Sequence, residues 1–243
     1  MARELIESGQ LRPPVERLLR GEAGAFLLGH TAPDVQTVSG QERLATHFYD
    51  IPPRDDIPPY RRLLDAYPEL AQAERLAPAQ AAFVAGYLAH LLADEQWWRL
   101  VFQPIFGVKA GWGTWPERLF LHNVLRTWLD EQDQARLSGQ EAVALAAAEP
   151  RGWLPFVRDD DLRAWRDLLV EQLQPGQRVR TAEVFAMRMH LPVEQIVATL
   201  DSPAQMALVF HHAPLSHLEH YRAQVLRGSA GLVNEYVRIG EEA

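Results

Sequence analysis

Apolar residues recur along this chain at intervals of three and four, and hardly anywhere on alternate positions. That period belongs to the α-helix. Alternating runs of β-branched residues bounded by turn residues, the mark of strands, are missing. The expected fold is therefore all-α, a compact multi-helix domain. Helices are expected over 13–29 (broken near Gly21), 40–48, 58–75, 78–103, 115–136, 138–148, 159–173, 181–189, 192–200 and 203–227. Pro14, Pro59, Pro116 and Pro203 fall near helix starts, where a missing N–H costs little. Thr114 and Ser202 are the expected N-caps, and Pro214 should kink or interrupt the last helix. The stretch 147–160 reads as a linker or as a tight loop within one bundle. A second long loop, 105–116, is rich in tryptophan and glycine. No internal repeat is visible, so a single domain over 1–243 is expected, with a candidate sub-domain boundary near 150.

The 78–103 helix carries the most information. Phe83, Tyr87, His90, Asp94, Trp97 and Val101 follow spacings of 4, 3, 4, 3 and 4, one stripe of a helix. The neighbouring stripe holds Val84, Leu88, Leu91, Glu95, Trp98 and Phe102. A helix apolar over most of its surface is a buried one. His90 and Asp94 thus sit one turn apart among aromatic and aliphatic neighbours. A carboxylate there needs its charge compensated, by a metal ion, by an arginine or by a raised pKa.

Two further segments offer matching side chains. In Phe26-Leu27-Leu28-Gly29-His30-Thr31-Ala32-Pro33-Asp34, Gly29 reads as a helix C-cap. Pro33 biases Ala32 toward an extended conformation and leaves Asp34 on a short, stiff loop. In Thr46-His47-Phe48-Tyr49-Asp50, His47 closes a short helical segment. Two imidazoles and two carboxylates, from Asp34, His47, His90 and Asp94, suit zinc or another borderline divalent ion. Each also has a bland reading: a capping aspartate, a core histidine, a buried His–Asp or Asp–Arg pair.

Composition narrows the field. Cysteine is absent, which removes disulfides, thiolate metal sites and cysteine nucleophiles. With 24 basic against 32 acidic residues and a net charge of -8, nucleic-acid binding is not expected. Lys109 is the sole lysine. No leader pattern opens the chain, and no apolar run reaches the roughly 20 residues of a membrane helix. A cytoplasmic protein without an integral membrane segment is expected.

Gly29-x-x-Ala32-Pro33-Asp34, then Thr46-His47-Phe48, then Gly86-Tyr87-Leu88-x-His90-Leu91-x-x-Asp94 resemble the bacterial zinc-dependent phospholipase C family. Fungal zinc nucleases acting on single strands share that helical scaffold. The likeness covers roughly residues 20–100. It rests on motif order, on the twelve residues between Asp34 and His47, and on the His-x3-Asp of a Gly-Tyr-Leu helix. It implies that Asp34, His47, His90 and Asp94 form one complete zinc site, with Asp94 able to bridge to a second ion. Family members also use the mature N-terminus, an early histidine and a His…His-x3-Glu set for further zincs. Here no histidine precedes His30, and His122 is followed four positions on by Arg126 rather than an acid. One or two ions and a different substrate are therefore expected.

His30, on the Asp34 loop, and His122, at the flank of an apolar face, are the candidate extra ligands. Asp50 and Glu95 are the candidate general bases. The His211-His212-x4-His217-x2-His220 cluster is better read as packing, because Pro214 interrupts it and it lacks the His-Glu-x-x-His pattern. The expected activity is hydrolysis of a small phosphoester, lipid-derived substrates included, by one or two Zn2+ ions. The alternatives are a nucleotide phosphohydrolase, or a non-catalytic helical protein with a structural metal or none.

Overall fold

The structure, a computed structural model, describes residues 1–174 and 180–237. Among them are fourteen α-helices and no strand: α1 (Ala2–Glu7), α2 (Pro13–Gly21), α3 (Ala23–Gly29), α4 (Gln36–Ser39), α5 (Arg43–His47), α6 (Pro59–Ala66), α7 (Pro78–Trp97), α8 (Trp115–Gln134), α9 (Gln140–Ala146), α10 (Asp159–Gln172), α11 (Thr181–Met189), α12 (Val193–Leu200), α13 (Pro203–His212) and α14 (Leu215–Tyr236). Single 3-10 turns cover Ala32–Val35, Pro68–Leu70 and Ala73–Arg75, and α7 runs on as a π-helical stretch, Trp98–Phe106. The all-α expectation holds. No described helix is long and apolar enough to cross a membrane.

Local chemistry explains several boundaries. Thr114 and Glu117 form a reciprocal capping box at the start of α8. The Ser202 side chain accepts from the Gln205 N–H and caps α13. Pro214 separates α13 from α14, because a proline nitrogen cannot continue the hydrogen-bond ladder. Three differences from the sequence expectation are informative. The 58–75 segment breaks after Ala66 into two 3-10 turns, the first opened by Pro68. The 78–103 helix changes from α to π winding at Trp98. Residues 32–35 wind into a 3-10 turn rather than an extended loop, since Pro33 sits at the first turn of a helix, where proline is tolerated.

The chain divides into two compact units. Among the described residues, the first comprises 1–95, 140–171 and 224–237; the second comprises 96–139, 172–174 and 180–223. Position 150 lies inside the first unit. The stretch 147–160 there is a packed loop, with Trp153, Leu154 and Val157 buried and Phe156 stacked on Tyr67 at 4.7 Å. In the second unit, Val101, Phe106, Val124, Leu125, Phe185, Ile196 and Val209 form the centre of the core.

The core of the first unit is organised by α3 and α7. Every residue from Ala81 to Ala89 is buried, as are Phe26 and Leu28, so α7 has neighbours on all sides. Gly29 and Gly86 allow the two backbones to touch. A Cβ on Gly29 would press into the Phe83 backbone, and one on Gly86 would lie 2.8 Å from the His30 nitrogen and closer still to the Phe26 carbonyl. Gly29 does end α3, but not as a left-handed cap. The residue after it, His30, has φ -66°, and the glycine serves close approach instead.

Gly86→Ala should therefore lower stability by about 3 kcal/mol, because the backbone it meets cannot step aside as a flexible side chain would. Urea unfolding of wild type and variant measures this. An unchanged midpoint would show that the two helices can part without cost.

Candidate metal centre

Three segments of the first unit deliver the side chains. Asp34 stands on the 3-10 turn directly after α3. His47 is the last residue of α5, which stops because Phe48 turns left-handed, with φ 61°. An aromatic residue is strained in that region. Phe48 is held there by Phe156, at 5.1 Å between ring centres. His90 lies one turn beyond Gly86 on α7. The glycine contact brings its ring up to the end of α3, where His90 Nδ1 meets the His30 carbonyl at 2.9 Å. Tyr87 donates to the Thr46 carbonyl at 2.6 Å and ties α5 to α7. The Trp165 indole donates to Thr31 at 3.2 Å and steadies the turn bearing Asp34.

Asp34, His47 and His90 each present a donor atom, and these atoms all lie within 4.8 Å of one another. His47 Nε2 is 3.7 Å from Asp34 Oδ1, and His90 Nε2 is 4.0 Å from Asp34 Oδ2. Hydrogen bonding assigns the ring protons. A carbonyl oxygen has no proton to give, so His90 Nδ1–H donates to His30, and in the neutral ring Nε2 is then the acceptor. The Thr46 hydroxyl donates to the Arg43 carbonyl at 3.2 Å. It therefore accepts from His47 Nδ1–H at 3.0 Å, which leaves His47 Nε2 bare as well. Second-shell bonds of this kind fix the tautomer and aim of metal-ligating histidines.

With both Nδ1 atoms engaged elsewhere, the two Nε2 atoms and the Asp34 carboxylate face one another. His90 Nε2 is buried and makes no hydrogen bond. Burial first, and the nearby Arg43 charge second, lower the His47 pKa to about 4, so its ring stays neutral at pH 7. Two imidazole nitrogens and one carboxylate, converging on one point, fit a divalent cation. The Asp34 side chain is 46% exposed, so the centre opens toward solvent on that side.

The other candidates are placed differently. Asp94 comes close, with Oδ2 3.5 Å from His47 Nε2, but the same oxygen takes an Arg43 guanidinium N–H at 2.7 Å. Tyr49 also approaches it, at 3.4 Å. His30 lends its carbonyl to His90, while its own buried ring stays outside the trio. Its Nε2 has no partner, and burial, aided by His90, lowers its pKa to about 3. Asp50 is paired with Arg54 at 2.7 Å. Asp50, Glu95, Phe48 and Tyr49 line a cleft of about 240 Å³ whose walls do not include the three donor residues.

His122 belongs to the second unit, and its Nε2 accepts from the Trp97 indole at 2.9 Å. It is a packed core histidine, in ring contact with Phe102 and Phe106. The C-terminal histidines also pack: His212 stacks on Trp112 at 3.7 Å, and His217 Nε2 bonds the Leu100 carbonyl at 2.7 Å.

Sequence reasoning passed over Arg43 and quoted Thr46 and Tyr49 only as neighbours of His47. Arg43 had a legible signal, since it precedes His47 by one helical turn and shares its face.

Burial, and then the Arg126 charge, hold the His122 pKa well below the ordinary value of 6.5. The unfolded chain binds that proton more readily than the folded one. Its contribution is thus complete above the unfolded pKa near 6.5 and is lost as pH falls below it. In chelator-treated protein, the urea midpoint should drop from about pH 7.5 to about pH 5.5, and drop less in His122→Gln. Equal drops in both proteins would sink this assignment. Comparison with protein-family models, with curated proteins and with solved structures finds no match for this chain.

Proposed function

We propose that this protein is a metal-dependent hydrolase, a phosphoesterase resembling the zinc-dependent phospholipases C, with one divalent ion held by Asp34, His47 and His90. The carrying observation is the convergence of two imidazole nitrogens and a carboxylate within 4.8 Å. One of those nitrogens is buried with no other partner. Three protein donors leave coordination positions for water and substrate, the pattern of catalytic rather than structural zinc. An ion so held acidifies water toward a pKa of about 7 and withdraws charge from a phosphoryl oxygen.

The chain's own residues supply position. His30 and Thr46 fix the two rings, and the half-exposed Asp34 faces the side from which a substrate arrives. Asp50 and Glu95 stay in the reading as candidate bases lining the neighbouring cleft. The proposed substrate is a small phosphoester, lipid-derived esters included, met in the cytoplasm. The Arg43–Asp94 pair favours a second reading. It supplies the compensation that Asp94 needs without any ion, as a non-catalytic helical protein would require.

Metal uptake separates the two. Chelator-stripped protein is offered zinc, manganese, cobalt and ferrous iron in turn, then dialysed and assayed for bound metal. About one equivalent should be retained, with affinity falling by roughly tenfold or more in His90→Ala. The loaded protein should cleave p-nitrophenyl phosphate esters and stop when chelator is added. If no metal is retained, the hydrolase reading falls.

A further inference from the structure

The Arg43 guanidinium pairs with Asp94 at the edge of the metal centre. Asp94 Oδ2 is as near to His47 Nε2, at 3.5 Å, as Asp34 Oδ1 is at 3.7 Å. That nearness is to His47 alone: Asp94 stands at the edge of the trio, outside the set of donor atoms that lie within 4.8 Å of one another. Its lone pairs are instead turned to Arg43, at 2.7 Å. Arg43 is itself fixed on several sides. Its guanidinium lies 4.6 Å over the Tyr49 ring, donates to the Tyr49 hydroxyl at 3.0 Å and reaches the Tyr49 carbonyl at 3.3 Å. Its own carbonyl takes the Thr46 hydroxyl that orients His47. A positive charge locked in place beside His47 also opposes a cation directly.

We propose that Arg43 sets the metal affinity of the centre by withholding Asp94, so that one ion is held by three protein donors and the fourth position stays open. This rests on the metal-centre reading above. Arg43 is a positioning residue: it acts through Asp94 and touches no reacting atom. Withdrawing the guanidinium removes the shortest bond to Asp94 Oδ2, leaves the longer Tyr49 contact, and lets the carboxylate turn toward the ion as a fourth protein donor.

Zinc affinity is the readout, measured by competition with a chromophoric chelator on the whole protein. Arg43→Met should bind zinc about tenfold more tightly than wild type, the scale on which outer-shell partners act. A merely structural role would weaken binding, so the direction of change is diagnostic. The double variant Arg43→Met/Asp94→Asn should lose the gain. If it keeps the gain, the effect is removal of charge alone and the withholding role is overturned. An Arg43→Met affinity equal to or weaker than wild type, in protein with an intact melting transition, also overturns it. Should Arg43→Met fail to fold, Arg43→Gln keeps one donor toward Asp94 and should show a smaller gain; no gain there overturns the proposal. Failure of wild type to take up zinc at all is a separate result, and it removes the metal-centre reading itself.

Discussion

The backbone contact of α3 with α7 is the constraint on which the first unit rests. Side chains on both helices would hold their axes some 8–10 Å apart. With Gly29 and Gly86 at the crossing, each helix lies against the other's peptide groups. The His30 carbonyl, at the end of α3, then comes within hydrogen-bond reach of the His90 ring one turn further along α7. The same approach places the turn bearing Asp34 beside that ring. Packing and site geometry follow from one feature, and neither could be shifted without the other.

Around that crossing the molecule assembles an arrangement that is costly without a cation. Lone pairs of two imidazoles and a carboxylate point at one another, and burial discourages His47 from taking a proton. Buried acceptors left unpaired cost free energy. A fold keeps such a feature where something charged completes it or where function needs it.

Arg43 adds a competing tendency. It compensates Asp94, which stabilises a carboxylate on an otherwise apolar helix, and it lowers the local preference for a cation. On the proposal made for Arg43, the centre is a balance between an acceptor trio that would attract an ion and a guanidinium that would temper the attraction. Tyr49, with its phenol held protonated by burial and by the Asp94 charge, keeps that guanidinium in place.

The sequence alone determined the all-helical class, because a three-to-four periodicity sustained along the chain permits no other regular structure. It also marked the capped start of α8, the break at Pro214 and the buried character of α7. His90 was legible because a polar group on an apolar stripe is conspicuous, Asp34 because Pro33 sets it on a short turn after an apolar helix, and His47 because it closes a short helical segment. Ion pairing was not: whether Asp94 meets a metal or an arginine depends on which side chain the fold brings within 3 Å of it, and distance along the chain says nothing of that. The same holds for His122, whose helical position suited a ligand until Trp97 was found bonded to it. Gly29 shows the limit most plainly. As a letter it signalled a helix end, whereas its physical task, an open space that a second backbone fills, exists only once α7 has packed against it.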